Sequence, residues 1–155
     1  MSTQKAGLTL GTAALGLALS LLLGGCATSG PAPGGTADPT GAALACTLSS
    51  NCVNSLPGSD LAPLRFDGSA VEAMAALRVS LAAFPEARIV KAESLAMEVV
   101  FTTSVGFQDR VNFLIDAPRQ RIDYSSRSRF GLYDFGKNRS RMEAFARQFE
   151  QGRAR

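Results

Sequence analysis

Between residues 97 and 124, apolar and polar side chains alternate with a period of two. Met97, Val99 and Phe101 alternate with Glu98, Val100 and Thr102; Val111, Phe113 and Ile115 alternate with Asn112, Leu114 and Asp116; Ile122 and Tyr124 continue the pattern. Successive side chains point to opposite sides of the backbone in a strand, so these runs read as half-buried strands. Asp116-Ala117-Pro118-Arg119-Gln120 is a short turn with proline suitably placed, which predicts an antiparallel hairpin between the last two runs. A weaker strand is expected over residues 88–91. Consecutive strands with connections this short favour an antiparallel meander, here of three to four strands.

Helical periodicity flanks the alternation on both sides. Ser69-Ala70-Val71-Glu72 has the spacing of a capping box, in which each side chain satisfies an exposed backbone N–H. Ala70, Met74, Leu77, Leu81 and Phe84 then recur at helical spacing until Pro85 stops the run, predicting an amphipathic helix of about 15 residues. At the far end Asn138 is placed to N-cap a second helix whose stripe is Met142, Phe145, Ala146 and Phe149. The expected fold is a two-layer α+β domain over residues 46–151, with both helices packed on one face of the meander and residues 152–155 as a tail.

The N-terminus does not belong to that fold. Lys5 gives a short positive start, residues 6–23 are continuously apolar or small, and Leu23-Gly24-Gly25-Cys26 follows. This reads as an export signal over residues 1–25. Its end resembles the lipobox of bacterial lipoproteins, in which small residues admit the signal peptidase and the cysteine thiol receives a diacylglycerol. An ordinary cleaved signal and an uncleaved anchor are the competing readings, since about 20 apolar residues suffice to cross a bilayer. Ala27, where inner-membrane retention would call for aspartate, makes the expected destination the outer membrane, with the domain facing the periplasm. Residues 26–45 are almost entirely Gly, Pro, Ala, Ser and Thr with one charge at Asp38, the composition of a flexible tether.

With Cys26 assigned to lipid, Cys46 and Cys52 remain, and export to an oxidising compartment predicts that they form a disulfide. Zinc is the rival reading, but the chain has no histidine and no further cysteine to complete four ligands.

The formal net charge of +3 conceals an asymmetry. Residues 119–155 carry ten basic and four acidic side chains, whereas residues 26–118 carry five and nine. The C-terminal third is therefore the anion-facing candidate. Most of its cations are arginine, which suits bidentate pairing with carboxylate or phosphate.

Those arginines concentrate in residues 125–141, Ser-Ser-Arg-Ser-Arg-Phe-Gly-Leu-Tyr-Asp-Phe-Gly-Lys-Asn-Arg-Ser-Arg. Together with Cys46, Asn51-Cys52-Val53-Asn54-Ser55 and Phe107-Gln108-Asp109, the blocks Ser126-Arg127-Ser128-Arg129-Phe130-Gly131 and Asp134-Phe135-Gly136-Lys137-Asn138-Arg139 resemble the bacterial family known as domain of unknown function 1499. That family includes members that look like exported lipoproteins and has no established activity, so the resemblance implies kinship without a catalytic role. Two departures stand out: Arg110 where the family tends to be acidic, and Ser125 where it tends to have arginine. If these positions pair across adjacent strands, one ion pair has been lost.

Two readings of the 125–141 block compete. As an anion site, Arg127, Arg129, Lys137 and Arg139 would supply donors beside the free N–H groups of the helix starting near Asn138, for a phosphate, carboxylate or lipid headgroup. As an internal network, Asp134 and Asp109, with Glu98, would pair with Arg129 and Arg139. Cations at a helix N-terminus oppose the macrodipole, so either reading requires a nearby negative group.

Other chemistry is poorly supplied. Without histidine there is no Ser-His-Asp or Cys-His pair. A carboxylate pair drawn from Asp109, Asp134 and Glu98 is the remaining hydrolytic option, while Ser126 and Ser128 read as outward strand residues rather than nucleophiles. No cofactor is implied: no glycine-rich loop precedes Lys-Ser or Lys-Thr. Export and the absence of a recognisable nucleic-acid-binding signature argue against nucleic acid as a partner. The expected partners are the membrane, through lipid on Cys26, and an envelope protein or anionic ligand.

Overall fold

The capping box at Ser69 forms as its spacing predicts: Ser69 Oγ accepts from Glu72 N–H at 3.3 Å, and Glu72 Oε2 accepts from Ser69 N–H at 2.7 Å. Helix α1 follows over Ala70–Leu81 and ends three residues earlier than expected. Proline disfavours the helical conformation in the residue before it, so Pro85 acts ahead of its own position. Ala83 and Phe84 instead donate to Ser80 and Leu81, closing a tighter last turn. Phe84 still reaches the core, its ring 6.0 Å from Phe101 and 5.7 Å from Phe145.

The computed structural model describes residues 41–59 and 61–153. The export signal, Cys26 with its expected lipid, the tether up to residue 40 and the last two residues lie outside the described residues.

Four strands follow α1: β3 (Ala87–Ala92), β4 (Ala96–Thr102), β5 (Gln108–Asp116) and β6 (Arg121–Ser128). They pair antiparallel in chain order, as the short connections predict. The sheet is larger than the expected meander of three to four strands, however. Two short strands, β1 (Cys52–Asn54) and β2 (Leu64–Arg65), lie along the other edge of β6, giving six strands among the described residues, all antiparallel. At three and two residues they are too short to display a period, and they sit among turn-forming residues. Helix α2 runs over Lys137–Arg153, so the domain extends beyond residue 151. An ion pair between Arg153 and Asp67 ties down its last turn.

One face of the sheet is covered by both helices. Met97, Val99, Phe101, Val111, Phe113, Ile115, Ile122 and Tyr124 meet Leu77 and Leu81 of α1 and Met142, Phe145 and Phe149 of α2 in one core. Phe113 is central, its ring 5.1 Å from Phe145 and 6.3 Å from Tyr124. The architecture is α+β.

The other face carries Glu98, Arg110, Asn112, Leu114, Asp123, Ser125 and Arg127. Here the fold begins earlier than residue 46. A 3-10 turn, Gly41–Leu44, lays Leu44 against this outer face, leaving it 1% exposed between cavities of about 370 and 430 Å³. Leu44 is the one large apolar residue in a stretch of small ones, and a composition average hides it. Arg127 Nη2 donates to Ala45 O at 2.8 Å, and the Cys46–Cys52 disulfide, Cα atoms 5.6 Å apart, secures the segment to β1.

Candidate functional site

Alternation along β6 places Ser126 and Ser128 on the same side as Ile122 and Tyr124, facing the core. This corrects the outward placement expected for the two serines; their parity with Ile122 is the signal that identifies it. Asp109 on β5 lies directly opposite Ser128 and faces the same way. Three polar side chains are thus directed under the first turn of α2, where each must find partners.

They find them in a closed ring. Ser128 Oγ donates to Asp109 Oδ1 at 2.6 Å, and Arg141 Nη1 approaches Asp109 Oδ2 at 2.7 Å. Arg141 Nη1 also donates to Asn138 Oδ1 at 3.3 Å, and Asn138 Nδ2 returns to Ser128 Oγ at 3.1 Å. Ser126 Oγ donates to Asn138 Oδ1 at 2.5 Å. The two Asn138 amide protons are shared among Ser128, Asp134 Oδ2 at 2.7 Å and Asn51 O at 3.1 Å. The Arg141 guanidinium lies over the Phe101 ring, 4.9 Å from its centroid, which favours the cation further.

Asn138 is therefore not the helix cap that its sequence position suggested; it is fully buried inside the first turn. Asp134 serves the helix start instead. Its Oδ1 accepts from Gly136 N–H at 3.0 Å and its Oδ2 from Asn138 N–H at 2.8 Å. The anionic group required by the cations at this N-terminus is thus a side chain of the protein.

The other expected site residues are dispersed. Arg129 is exposed and donates to Gln108 Oε1 at 2.5 Å rather than to a carboxylate. Arg127 lies on the outer face, directly opposite Arg110; its Nη2 is bonded to Ala45, while its Nε is buried without a hydrogen-bond partner. Lys137 is exposed at the first helical position, and Arg139 is half-buried near the Tyr124 hydroxyl. Burial pushes Tyr124 up to about 12; the Glu143 charge adds to the shift and Arg139 opposes it. Its hydroxyl donates to Ala62 O at 3.0 Å. Asp109 pairs not with Arg129 or Arg139 but with Arg141, a further cation at the start of α2. Glu98 pairs with Arg110 at 3.1 Å. Positions 110 and 125 lie on one face as diagonal neighbours, opposite Arg127 and Asn112 respectively.

Beyond this ring the chain turns its apolar side chains outward. Phe130, Leu132, Tyr133 and Phe135 of the β6–α2 connection are exposed, as are Val105 and Phe107 of the β4–β5 turn. The two loops share one end of the sheet, where Arg129 N–H donates to Gln108 O at 2.9 Å just beyond the last β5–β6 pair. The connection has a defined shape. Asn51 Nδ2 donates to Gly131 O at 2.7 Å, Ser50 Oγ donates to Leu132 O, and Asp134 N–H donates to Ser50 O at 3.1 Å. The sequence spacing of Phe130, Tyr133 and Phe135, three and then two residues apart, predicts a loop folded onto the core; the structure leaves these rings exposed instead.

A family model described as protein of unknown function (DUF1499) matches residues 44–149. The chain belongs to this family. The DUF1499 match starts at Leu44, the first buried side chain among the described residues, and includes the whole Asp109–Arg141 ring and the aromatic connection. No curated protein and no solved structure matches the chain. Among the described residues there is no cluster of metal-ligating side chains, and no helix is long and apolar enough to cross a membrane.

Proposed function

We propose that this protein is an exported, lipid-anchored, non-enzymatic binding domain of the cell envelope, and that its working surface is the β6–α2 connection together with the β4–β5 turn. One observation carries the reading: Phe135 is 89% exposed and has φ +54°. A bulky residue in the left-handed region is strained by roughly 1–2 kcal/mol. It recovers almost none of that by burial. Folding alone favours glycine or asparagine at this position, so an aromatic ring there is better explained by contact with something outside the chain.

The surface is built for such contact. Its backbone carbonyls are held by Ser50 and Asn51, and Tyr133 and Phe135 pack edge to face with centroids 4.9 Å apart. A preformed loop loses less conformational entropy on binding than a mobile one. Arg129 and Lys137 flank the apolar side chains and keep the anion-facing character expected from the sequence, at the rim rather than in a buried pocket. The alternative of a carboxylate-dependent hydrolase gains little support from the geometry: Asp109 is bonded to Arg141 and Ser128, and both oxygens of Asp134 are engaged at the start of α2.

A photocrosslinking amino acid at Leu132, introduced into the full chain in cells, tests the surface; adducts are expected there and not at Val79 on α1. Absence of any adduct at Leu132 would refute the reading. The anchor is tested separately. Cys26→Ser should release the protein from membranes, and density-gradient fractionation of the unmodified protein should place it with the outer membrane. An unchanged membrane fraction for the variant would overturn lipidation.

A further inference from the structure

We propose that the aromatic end of the domain docks on an anionic bilayer surface, with Phe130, Leu132, Tyr133 and Phe135 entering the interface and Arg129 and Lys137 at the headgroups. The proposal rests on the reading of these loops as the working surface and names what that surface meets.

Shape, chemistry and charge favour a bilayer. The apolar side chains stand out from loop tips rather than lining a groove, so the partner need not provide a matching cavity. Phenylalanine, tyrosine and leucine flanked by arginine and lysine are the side chains that settle where hydrocarbon meets headgroup. The carbonyls of Gly131 and Leu132 already accept from Asn51 and Ser50, which lowers the desolvation penalty that unpaired peptide groups incur on leaving water. Residues 103–108 contain no charged side chain, and residues 129–137 contain two cations and one carboxylate, Asp134, whose oxygens are turned to the start of α2. That balance complements anionic lipid. The apolar run of residues 6–23 and Cys26, if acylated, would keep a bilayer within reach of the tether.

The chain contains no tryptophan, so one introduced indole is a unique reporter. The full chain carrying Phe130→Trp is mixed with phosphatidylglycerol vesicles whose acyl chains are brominated, and quenching is compared with that of Val79→Trp on α1. Strong quenching at position 130 and little at 79 is the expected result. Replacing phosphatidylglycerol by brominated phosphatidylcholine, or Arg129 and Lys137 by glutamine, should weaken the contact by about fivefold per lost charge interaction. Phe135→Gly in the Phe130→Trp background, a change that relieves strain, should weaken it about tenfold. Equal quenching at the two positions, or none at 130, overturns the proposal. The photocrosslinker at Leu132 distinguishes the two levels of inference. A lipid adduct supports the bilayer contact. A protein adduct, including a second copy of this chain, overturns it and leaves the binding surface standing, while no adduct removes both.

Discussion

Arg141 and Asp109 meet across the boundary between α2 and β5, Nη1 to Oδ2 at 2.7 Å, with each side chain about 5% exposed. The pair fastens the first turn of α2 to the sheet. Removing one partner of a buried pair strands the other charge, typically at about 3–5 kcal/mol, whereas replacing both by apolar groups of similar volume can be nearly neutral. Asp109→Ala and Arg141→Ala should each lower unfolding free energy by that order in urea titrations. Asp109→Leu combined with Arg141→Met should recover most of the loss. Equal damage from the double variant would mean that the charges matter individually to the fold.

Asp134 bonds two N–H groups at the start of α2. Asp134→Ala should therefore destabilise by about 0.5–2 kcal/mol, the range for loss of an N-terminal cap. Hydrogen exchange should accelerate at residues 136–138 while the amides of β5 keep their protection.

Phe135→Gly should raise stability by about 1 kcal/mol, because glycine adopts positive φ without strain and the ring contributes little burial. Its thermal midpoint is the measurement. A lower midpoint would show that the Tyr133–Phe135 pair outweighs the strain.

Leu44→Ala should cost about 2–3 kcal/mol, as for a buried leucine with incomplete collapse around it. Reduction of Cys46–Cys52 should cost about 2 kcal/mol by lengthening the free segment. Both act on the same segment, so their sum should exceed the effect of the combined change. Urea melts with and without reductant on the two chains give all four values.

Tyr124 ties stability to alkaline pH. Its proton is held more tightly in the folded state, where burial pushes its pKa up to about 12 from the ordinary 10.0. The resulting stabilisation is fully present below the unfolded value and is lost as pH rises toward the folded one. Unfolding free energy should fall between about pH 10 and 12, and Tyr124→Phe should remove most of that fall. At neutral pH the same variant loses the bond to Ala62 O, about 1 kcal/mol.

What could be read from the sequence depended on length and period. Met97 to Tyr124 announce their strands because alternation persists over many residues, and Ser69 announces α1 through a local motif. β1 and β2 exist because β6 has an open edge, a tertiary fact with no local signature. At the candidate site, the need for a negative partner was legible from cations at a helix start. Which carboxylate meets which arginine was not, because Asp109, Ser128 and Arg141 converge through register and helix docking. Phe130 and Phe135 were visible as aromatics, but whether a loop turns such rings inward depends on bonds made by Ser50 and Asn51, some 80 residues earlier in the chain.

The disulfide has a mechanical consequence. Once tension arriving from the N-terminal side has freed Leu44 and the Ala45 carbonyl, it reaches Cys46 and passes through the sulfur bridge to Cys52, and from there into the hydrogen bonds of β1 with β6. Residues 47–51 form a slack bypass. Ser50 and Asn51, which hold the Leu132 and Gly131 carbonyls, sit in that unloaded segment. Under such a load the aromatic tip would therefore keep its shape until β1 itself is torn from the sheet.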